Sequence, residues 1–384
     1  MGESKVADFV VVGAGMAGAS IAAELSRRGR VVVLETEPHA GYHSTGRSAA
    51  VFSRHYGNAV VRGLTRASRQ FLFEPPAGFA AVPLCAPRGG LYFARADQLE
   101  LLREFHCDPE VEATTKLLTA AEVRERIPLF REGYVAAGLL DEDVADLDVD
   151  AIHQGFLRQA RAQKAEIHFD SRVQALRRDG GAWVVVTARG SFRAPVVVNA
   201  AGAWGDEIAA LAGVEPIGLQ AMRRSAVLVP VPGGLCADSW PAAVDIAEQF
   251  YFKPDAGLLM LSPADEHPCA PSDVQPEELD IAIAIDRFEQ ATDSRVHQVR
   301  RSWAGLRVFA SDRTPVVGFD PSVEGFFWLV GQGGYGIQTA PAMGRLAAAL
   351  ALGQSVPADV ARHGVTAVLL SRERFHSARN SQRT

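Results

Sequence analysis

Gly13, Gly15 and Gly18 stand in G-x-G-x-x-G spacing within Asp8-Phe-Val-Val-Val-Gly-Ala-Gly-Met-Ala-Gly18. Glu35 follows at close to the separation of about 20 residues that such a unit uses for its ribose-binding acid. This pattern can hold a dinucleotide. Gly13 permits a tight turn, Gly15 lets the backbone approach a pyrophosphate, and Gly18 lets a helix lie close against a strand. The helix N-terminus offers free N–H groups and the positive end of its dipole to the phosphates. Glu35 is placed to accept hydrogen bonds from a ribose.

Those roles require particular elements. Phe9 to Val12 is a short, β-branched apolar run that reads as a buried parallel strand. Ala19 to Arg28 reads as a helix stopped by Gly29, and Val31 to Leu34 as a second strand. Asp150 to Ala162 has a helical pattern. Glu166 to Phe169, Val173 to Leu176, Trp183 to Thr187 and Ser191 to Val198 read as short strands, the last two as a β-meander. Val196-Val-Val-Asn-Ala-Ala-Gly-Ala-Trp204 is a further apolar strand entering a glycine turn. Small residues there let the backbone crowd a cofactor lying across the sheet. Trp328-Leu-Val-Gly-Gln-Gly-Gly-Tyr-Gly-Ile337 repeats the logic before a helix from about Gln338 to Leu352. That helix N-terminus would face an electron-rich group, for which the N1–C2=O edge of an isoalloxazine ring is the natural candidate.

Composition bounds the rest. With 384 residues the chain suggests two domains or one elaborated one. Its 48% hydrophobic and 22% charged content is ordinary for a globular protein, and a net charge of −6 gives no reason to expect nucleic acid. No run approaches the roughly 18 apolar residues of a membrane span. Lys5 alone makes no basic segment of a signal peptide, so a cytoplasmic protein is expected. Cys85, Cys107, Cys236 and Cys269 are scattered and read as reduced thiols, and the histidines show no metal-ligand spacing. Arg372 to Thr384 reads as a polar, fraying tail. Alternating patterns at Ala226-Val-Leu-Val and Gln249-Phe-Tyr-Phe-Lys253 read as strands of a second, mostly antiparallel sheet. The expected architecture is α/β (α+β overall). A Rossmann-like nucleotide domain (1–85, 143–219, 314–384) is interleaved with a substrate domain (86–142, 220–313), and the site lies between them.

Several further segments carry a family resemblance: Gly41-Tyr-His-Ser-Thr-Gly-Arg-Ser-Ala-Ala50, Pro75-Pro-Ala-Gly-Phe79, Arg223-Arg-Ser225, Phe250-Tyr-Phe-Lys-Pro-Asp-Ala-Gly257, Trp303-Ala-Gly-Leu-Arg307 and Gln332-Gly-Gly-Tyr-Gly-Ile-Gln-Thr339. With the glycine motifs, they resemble the D-amino-acid oxidase/glycine oxidase family of FAD enzymes, and within it the bacterial D-arginine dehydrogenases. The resemblance implies that Gly13, Gly15, Met16, Ala17, Gly18, Glu35, Ser44, Thr45, Arg47, Ser48, Ala49 and Ala50 line FAD, with Val173 near adenine. It adds Ala201, Gly202, Trp204, Gly305 and Arg307, with Gly333, Gly334, Tyr335, Gly336, Ile337, Gln338 and Thr339 closing over the ring. No cysteine follows Cys269, so non-covalent FAD is expected.

Oxidising an α-amino acid needs a cation for the carboxylate, an open flavin face and walls that select the side chain. Hydride passes from Cα to flavin N5, and the imino acid then hydrolyses to a 2-oxo acid and ammonia, so alignment and electrostatics carry most of the catalysis. By the resemblance, Arg224 and Arg307 hold the carboxylate, Tyr251 lies near it, and Gly334 belongs to the catalytic turn. Tyr56 and Tyr335 shape or lid the pocket. An arginine fork matches a carboxylate as lysine cannot. Two positions depart from the arginine-specific relatives: Gly90 stands where they carry a guanidinium-binding glutamate, and Val51 where they carry a histidine. With Phe52 and Ser53, these suggest a roomier, apolar pocket for a neutral D-amino acid, since a buried guanidinium without a carboxylate is disfavoured. Arg54 or Arg88 facing inward would instead admit an acidic substrate. Alternatives are a D-2-hydroxy-acid dehydrogenase, with His43 or His55 as its base, a secondary-amine oxidase, or an electron-transfer flavoprotein subunit. The expected partners are a small amino acid and an electron acceptor (oxygen, a quinone or another carrier) that no motif identifies.

Overall fold

In the computed structural model, which describes residues 4–375, Phe9–Val12 is wholly buried at the centre of a six-stranded sheet. The strand order is Glu166–His168, Val31–Leu34, Phe9–Val12, Val196–Asn199, Phe326–Val330 and Val316–Phe319. All neighbours are parallel except the last pair. The run of β-branched residues suits a strand covered on both faces. Helices Met16–Leu25, Gly336–Ala351, Val149–Ala162 and Ala59–Phe73 pack together on one side of it. Their approach is close: a Cβ at Gly344 would lie 2.9 Å from Ser20 Cβ.

The first helix begins at Met16 and ends at Leu25, earlier than the expected Gly29. Gly29 N still donates to Leu25 O (3.1 Å) past the end of the helix, and the residue lies against Asp8, where a Cβ would come within 2.9 Å of the carboxylate. The expected Ser191–Val198 strand divides at Pro195, which has no N–H to donate. Gly190–Ala194 stays in a four-stranded sheet with Ala182–Thr187, Val173–Asp179 and Lys5–Val6, while Val196–Asn199 joins the central sheet. The last long helix, Gly336–Ala351, tolerates Pro341 because a neighbour enters its hydrogen-bond ladder. The Ser68 hydroxyl donates to Thr339 O (3.2 Å) and accepts from Ala342 N (3.1 Å).

A nine-stranded sheet draws on residues 90–141 and 220–309. Its longest pairing is Gln220–Pro230 against Arg301–Phe309, antiparallel with Arg224 opposite Gly305. Strand alternation sorts its side chains. Val227, Val229, Phe252, Leu259 and Leu261 form a core with Phe288 and Ala284 of helix Glu278–Ala291. Arg224, Ala226, Tyr251, Trp303 and Arg307 emerge on the opposite face, toward the central sheet.

The C-terminal segment departs from its expected fraying as far as it is described. Arg372 is buried and ion-paired to Asp320, lies 3.6 Å from Glu215, and stacks on Trp328 with its centre 5.7 Å from the ring centroid. Arg374 pairs with Asp312 at 2.7 Å. Residues 376–384 of the expected tail lie outside the described residues. Asp320, itself buried, also accepts from Trp328 Nε1 at 3.0 Å. Its removal strands a buried guanidinium and an indole N–H, a loss that costs about 3–5 kcal/mol in comparable buried pairs. Urea unfolding of Asp320→Ala is expected to show a loss in that range; a loss below about 1 kcal/mol would mean that the segment is not anchored this way.

Candidate active site

A cavity of about 440 Å³ runs between the two large sheets, from Glu35 and Val173 to Arg307 and Tyr251. At its first end the chain turns at Gly13, whose φ of +101° suits glycine. A Cβ on Gly18 would lie 1.9 Å from Gly13 O, and one on Gly13 would lie 2.5 Å from Ala200 O. Gly18 therefore holds the helix against the strand without lining the cavity. The intervening peptide is gripped from both sides. Ala14 N donates to Glu35 Oε2 (2.8 Å), and Ala14 O accepts from His153 Nε2 (2.8 Å). Glu35 Oε1 takes Glu37 N at 3.0 Å, which fixes the carboxylate at the cavity edge. Burial pushes the His153 pKa down, against the pull of Ala14 and Asp150, so the ring is neutral with its proton on Nε2.

Residues 41–49 form the next wall. Met16 N donates to Thr45 Oγ1 (3.0 Å), Ser44 Oγ donates to Leu306 O (2.7 Å), and Trp303 Nε1 donates to Arg47 O (3.0 Å). Arg47 reaches Val274 O at 2.8 Å and ion-pairs with Asp273, which also accepts from Tyr42 OH. The nucleotide-side loop is thereby stapled to the nine-stranded sheet. His43 sits on Glu37 (2.9 Å) and Trp204 (ring centroids 4.6 Å).

At the far end Gly333 N donates to Val308 O (2.8 Å), and helix Gly336–Ala351 starts without a side-chain cap. Gly333, Gly334, Gly336 and Ile337 line the cavity, so this N-terminus opens onto it. A Cβ on Gly334 would come within 3.0 Å of the Arg307 guanidinium carbon. Arg307 Nη1 donates to Tyr56 OH at 2.9 Å. Burial opposes the charge on Arg307, but Tyr56, Tyr251, Glu266 and Tyr335 outweigh it and raise the pKa, so the guanidinium stays ionised. Tyr251 shows the reverse balance. Burial raises its pKa, yet Arg307 and Arg224, with hydrogen bonds from Ser262 and Arg224, bring it below the ordinary phenol value. Arg224 Nε donates to Asp265 O (2.7 Å) and its Nη2 to Glu266 Oε1 (3.1 Å).

Of the site residues expected from sequence, Gly13, Gly15, Met16, Ala17, Glu35, Ser44, Thr45, Arg47, Ser48, Ala49, Val173, Ala201, Gly202, Trp204, Arg224, Tyr251, Gly305, Arg307, Gly333, Gly334, Gly336 and Ile337 line this one cavity. Ala50, Val51, Ser53, Tyr56, Gly90, Tyr335, Gln338 and Thr339 do not. Tyr56 and Tyr335 stack edge to face (4.7 Å) behind Arg307. Gln338 is buried, accepts from Ser53 N (3.0 Å) and donates to Thr65 (2.9 Å), so it braces the helix. The room expected at Gly90 is absent, because a Cβ there would meet Val144 Cγ2 at 2.7 Å. Neither Arg54 nor Arg88 lines the cavity: Arg54 pairs with Asp143, and Arg88 with Asp146 at 2.6 Å. His153, Asp273, Glu37 and Gln332 were not expected. The one sequence signal for His153 is a polar residue on the otherwise apolar, buried face of helix Val149–Ala162.

This architecture defines a dinucleotide-binding α/β protein whose second sheet roofs the cofactor cavity. The chain belongs to the family described as DAO, FAD dependent oxidoreductase, whose pattern matches residues 8–350. It is 28% identical to a glycine oxidase of Pseudomonas aeruginosa over 374 residues, covering 92% of this chain and 96% of that protein. It is 26% identical to the FAD-dependent oxidoreductase domain-containing protein 1 of Xenopus laevis over 396 residues (90% and 79%). The glycine oxidase structure from Geobacillus kaustophilus shares the fold with a TM-score of 0.80 at 22% identity, covering 94% of this chain and 98% of that one. The protein is thus an FAD-dependent oxidoreductase of mixed α/β fold. The cavity suits that cofactor: Gly15 and Gly202 leave room for close backbone approach, and two helix N-termini open onto it. Among the described residues no helix is long and apolar enough to cross a membrane.

If His153 orients the Ala14 peptide, His153→Leu weakens FAD binding by roughly ten-fold, the scale of one buried hydrogen bond. His153→Gln, which keeps a donor, restores part of it. Flavin fluorescence on dilution checks this; unchanged retention in His153→Leu contradicts the role.

Proposed function

We propose that the protein oxidises a neutral D-amino acid at its α-carbon, with FAD held non-covalently by the wall that runs from Gly13 to Ile337. The reading also keeps the two-domain division given above. One observation carries it: an ionised Arg307 guanidinium lines the cofactor cavity against the Gly334 backbone, with Tyr251 beside it. Bound FAD supplies a two-electron acceptor for the hydride that leaves the substrate. Arg307 takes the carboxylate and so sets the distance and face at which Cα is presented. Tyr56, donated to by Arg307, holds the fork in place.

The surroundings support a substrate without a cationic side chain. Every acidic side chain on the cavity wall lies away from Arg307. Glu35 and Glu37 hold backbone or His43, Asp273 holds Arg47 and Tyr42, and Glu207 lies on the helix that packs against Val173–Asp179. Asp146, the acid nearest to Val51 in the sheet, is occupied by Lys253 and Arg88, both at 2.6 Å. Ala226, Trp303 and Val308 leave the Arg307 end largely apolar. Preference for the D configuration rests on the likeness of the motifs to D-arginine dehydrogenases; Gly90 and Val51 lie outside the cavity and carry no part of the substrate reading. A hydroxy-acid substrate is less well served. His55 lies outside the cavity on Thr114 (2.8 Å), with its pKa lowered to about 4 by burial and then by Arg54, and His43 is held by Glu37 and Trp204.

Anaerobic flavin bleaching by a panel of D- and L-amino acids, N-methyl amino acids and 2-hydroxy acids tests the reading. Neutral D-amino acids are expected to bleach the flavin fastest. Arg307→Met should lower kcat/KM by about 10²–10³, the range for loss of a buried charged partner, while FAD stays bound. Fastest reduction by D-arginine, or by a hydroxy acid, overturns the assignment.

A further inference from the structure

Two guanidiniums, Arg224 and Arg307, line the substrate end of the cavity, yet their surroundings differ. Among the described residues, the Arg307 fork makes one hydrogen bond, to the Tyr56 hydroxyl. Arg224 faces a carboxylate. Glu266 Oε1 accepts from Arg224 Nη2 (3.1 Å) and from Arg313 Nη2 (2.9 Å), and its Oε2 accepts from Arg313 Nη1 (3.0 Å). Glu266 is outside the cavity wall and approaches Arg224 from behind. Its two partners differ in exposure: the Arg313 side chain is 47% exposed and stacked on Phe309, whereas Arg224 is 12% exposed. The shielded pair therefore feels the charge more strongly. Arg223, the neighbour of Arg224 in sequence, points to the other face, where Asp280 (3.0 Å), Glu277 and Asp265 surround it, so its charge is answered there.

We propose that Glu266 sets the charge of the substrate site: by engaging Arg224 it leaves Arg307 as the fork open to a carboxylate, and so selects monocarboxylate over dicarboxylate amino acids. The proposal rests on the carboxylate-binding role given to Arg307 above. A monocarboxylate substrate satisfies Arg307 and leaves the Glu266–Arg224 pair intact. A second carboxylate on the substrate must compete with Glu266 for Arg224 and meets its negative charge across the guanidinium. Glu266→Gln keeps hydrogen-bonding capacity toward Arg224 and Arg313 and removes only the charge. It is thus a specificity-determining residue that acts through Arg224.

Acetate and malonate serve as probes, titrated into the oxidised, FAD-bound protein and read by the flavin absorption spectrum. Glu266→Gln should tighten malonate about ten-fold and acetate distinctly less, by about two- to three-fold, because Glu266 acts on Arg307 through space only and contacts Arg224 directly. Arg313→Gln leaves Glu266 to Arg224 alone and should weaken malonate. In turnover, the ratio of kcat/KM for D-aspartate to that for D-alanine should rise about ten-fold in Glu266→Gln. Equal shifts for both anions, or malonate binding unchanged in both variants, overturn the proposal. Because the anion titration needs no turnover, it separates failure of the Glu266 role from failure of amino-acid oxidation, which appears as an unbleached flavin in the unmodified protein.

Discussion

The protein is organised around a contact with no room for a methyl group. The first helix meets the end of the first strand so closely that a Cβ on Gly18 would lie 1.9 Å from Gly13 O. That approach brings the helix N-terminus to the sheet edge and places Ala14 between Glu35 and His153. The wall made by Thr45 and Arg47 is built against the same turn, since Thr45 accepts from Met16 N and a Cβ on Gly15 would stand 3.3 Å from its hydroxyl. Crowding at two glycines thus sets the position of the cofactor cavity, and the rest of the site is hung from that edge.

The second sheet contributes charge where the first contributes backbone. Its alternation sends apolar residues into a core with helix Glu278–Ala291 and sends Arg224, Tyr251 and Arg307 toward the cavity. Burial penalises a charge at Arg307, and nearby phenols with Glu266 more than offset that penalty. The same two guanidiniums bring the Tyr251 phenol below its usual value. This end of the cavity is therefore a compact electropositive patch in a mostly apolar wall, which suits an anionic group on a small molecule.

Much of this was legible in the chain because close backbone contact demands glycine and strand burial demands β-branched runs. The Gly13–Glu35 unit, the 328–337 turn and the alternating strand at Ala226-Val-Leu-Val all follow from such local rules. What escaped depends on distant packing. Nothing near Gly90 reveals that Val144 fills its side, and nothing near Arg372 reveals a buried partner at Asp320. His153 reaches the Gly13–Gly15 turn from 139 residues away, a distance no spacing rule covers. Pro195 could have been read as the break between two strands, because it lacks the donor that a continuous ladder needs.

The central claim is that Arg307 is the anchor that presents the substrate to the cofactor. A crystal structure of the FAD-bound protein soaked with a slowly reacting D-amino acid or its imino-acid product tests it most directly. The account predicts the ligand carboxylate paired with the Arg307 guanidinium beside Tyr251, its α-carbon over the flavin and Glu266 still on Arg224. A carboxylate bound elsewhere, with Arg307 left on Tyr56 alone, would contradict it.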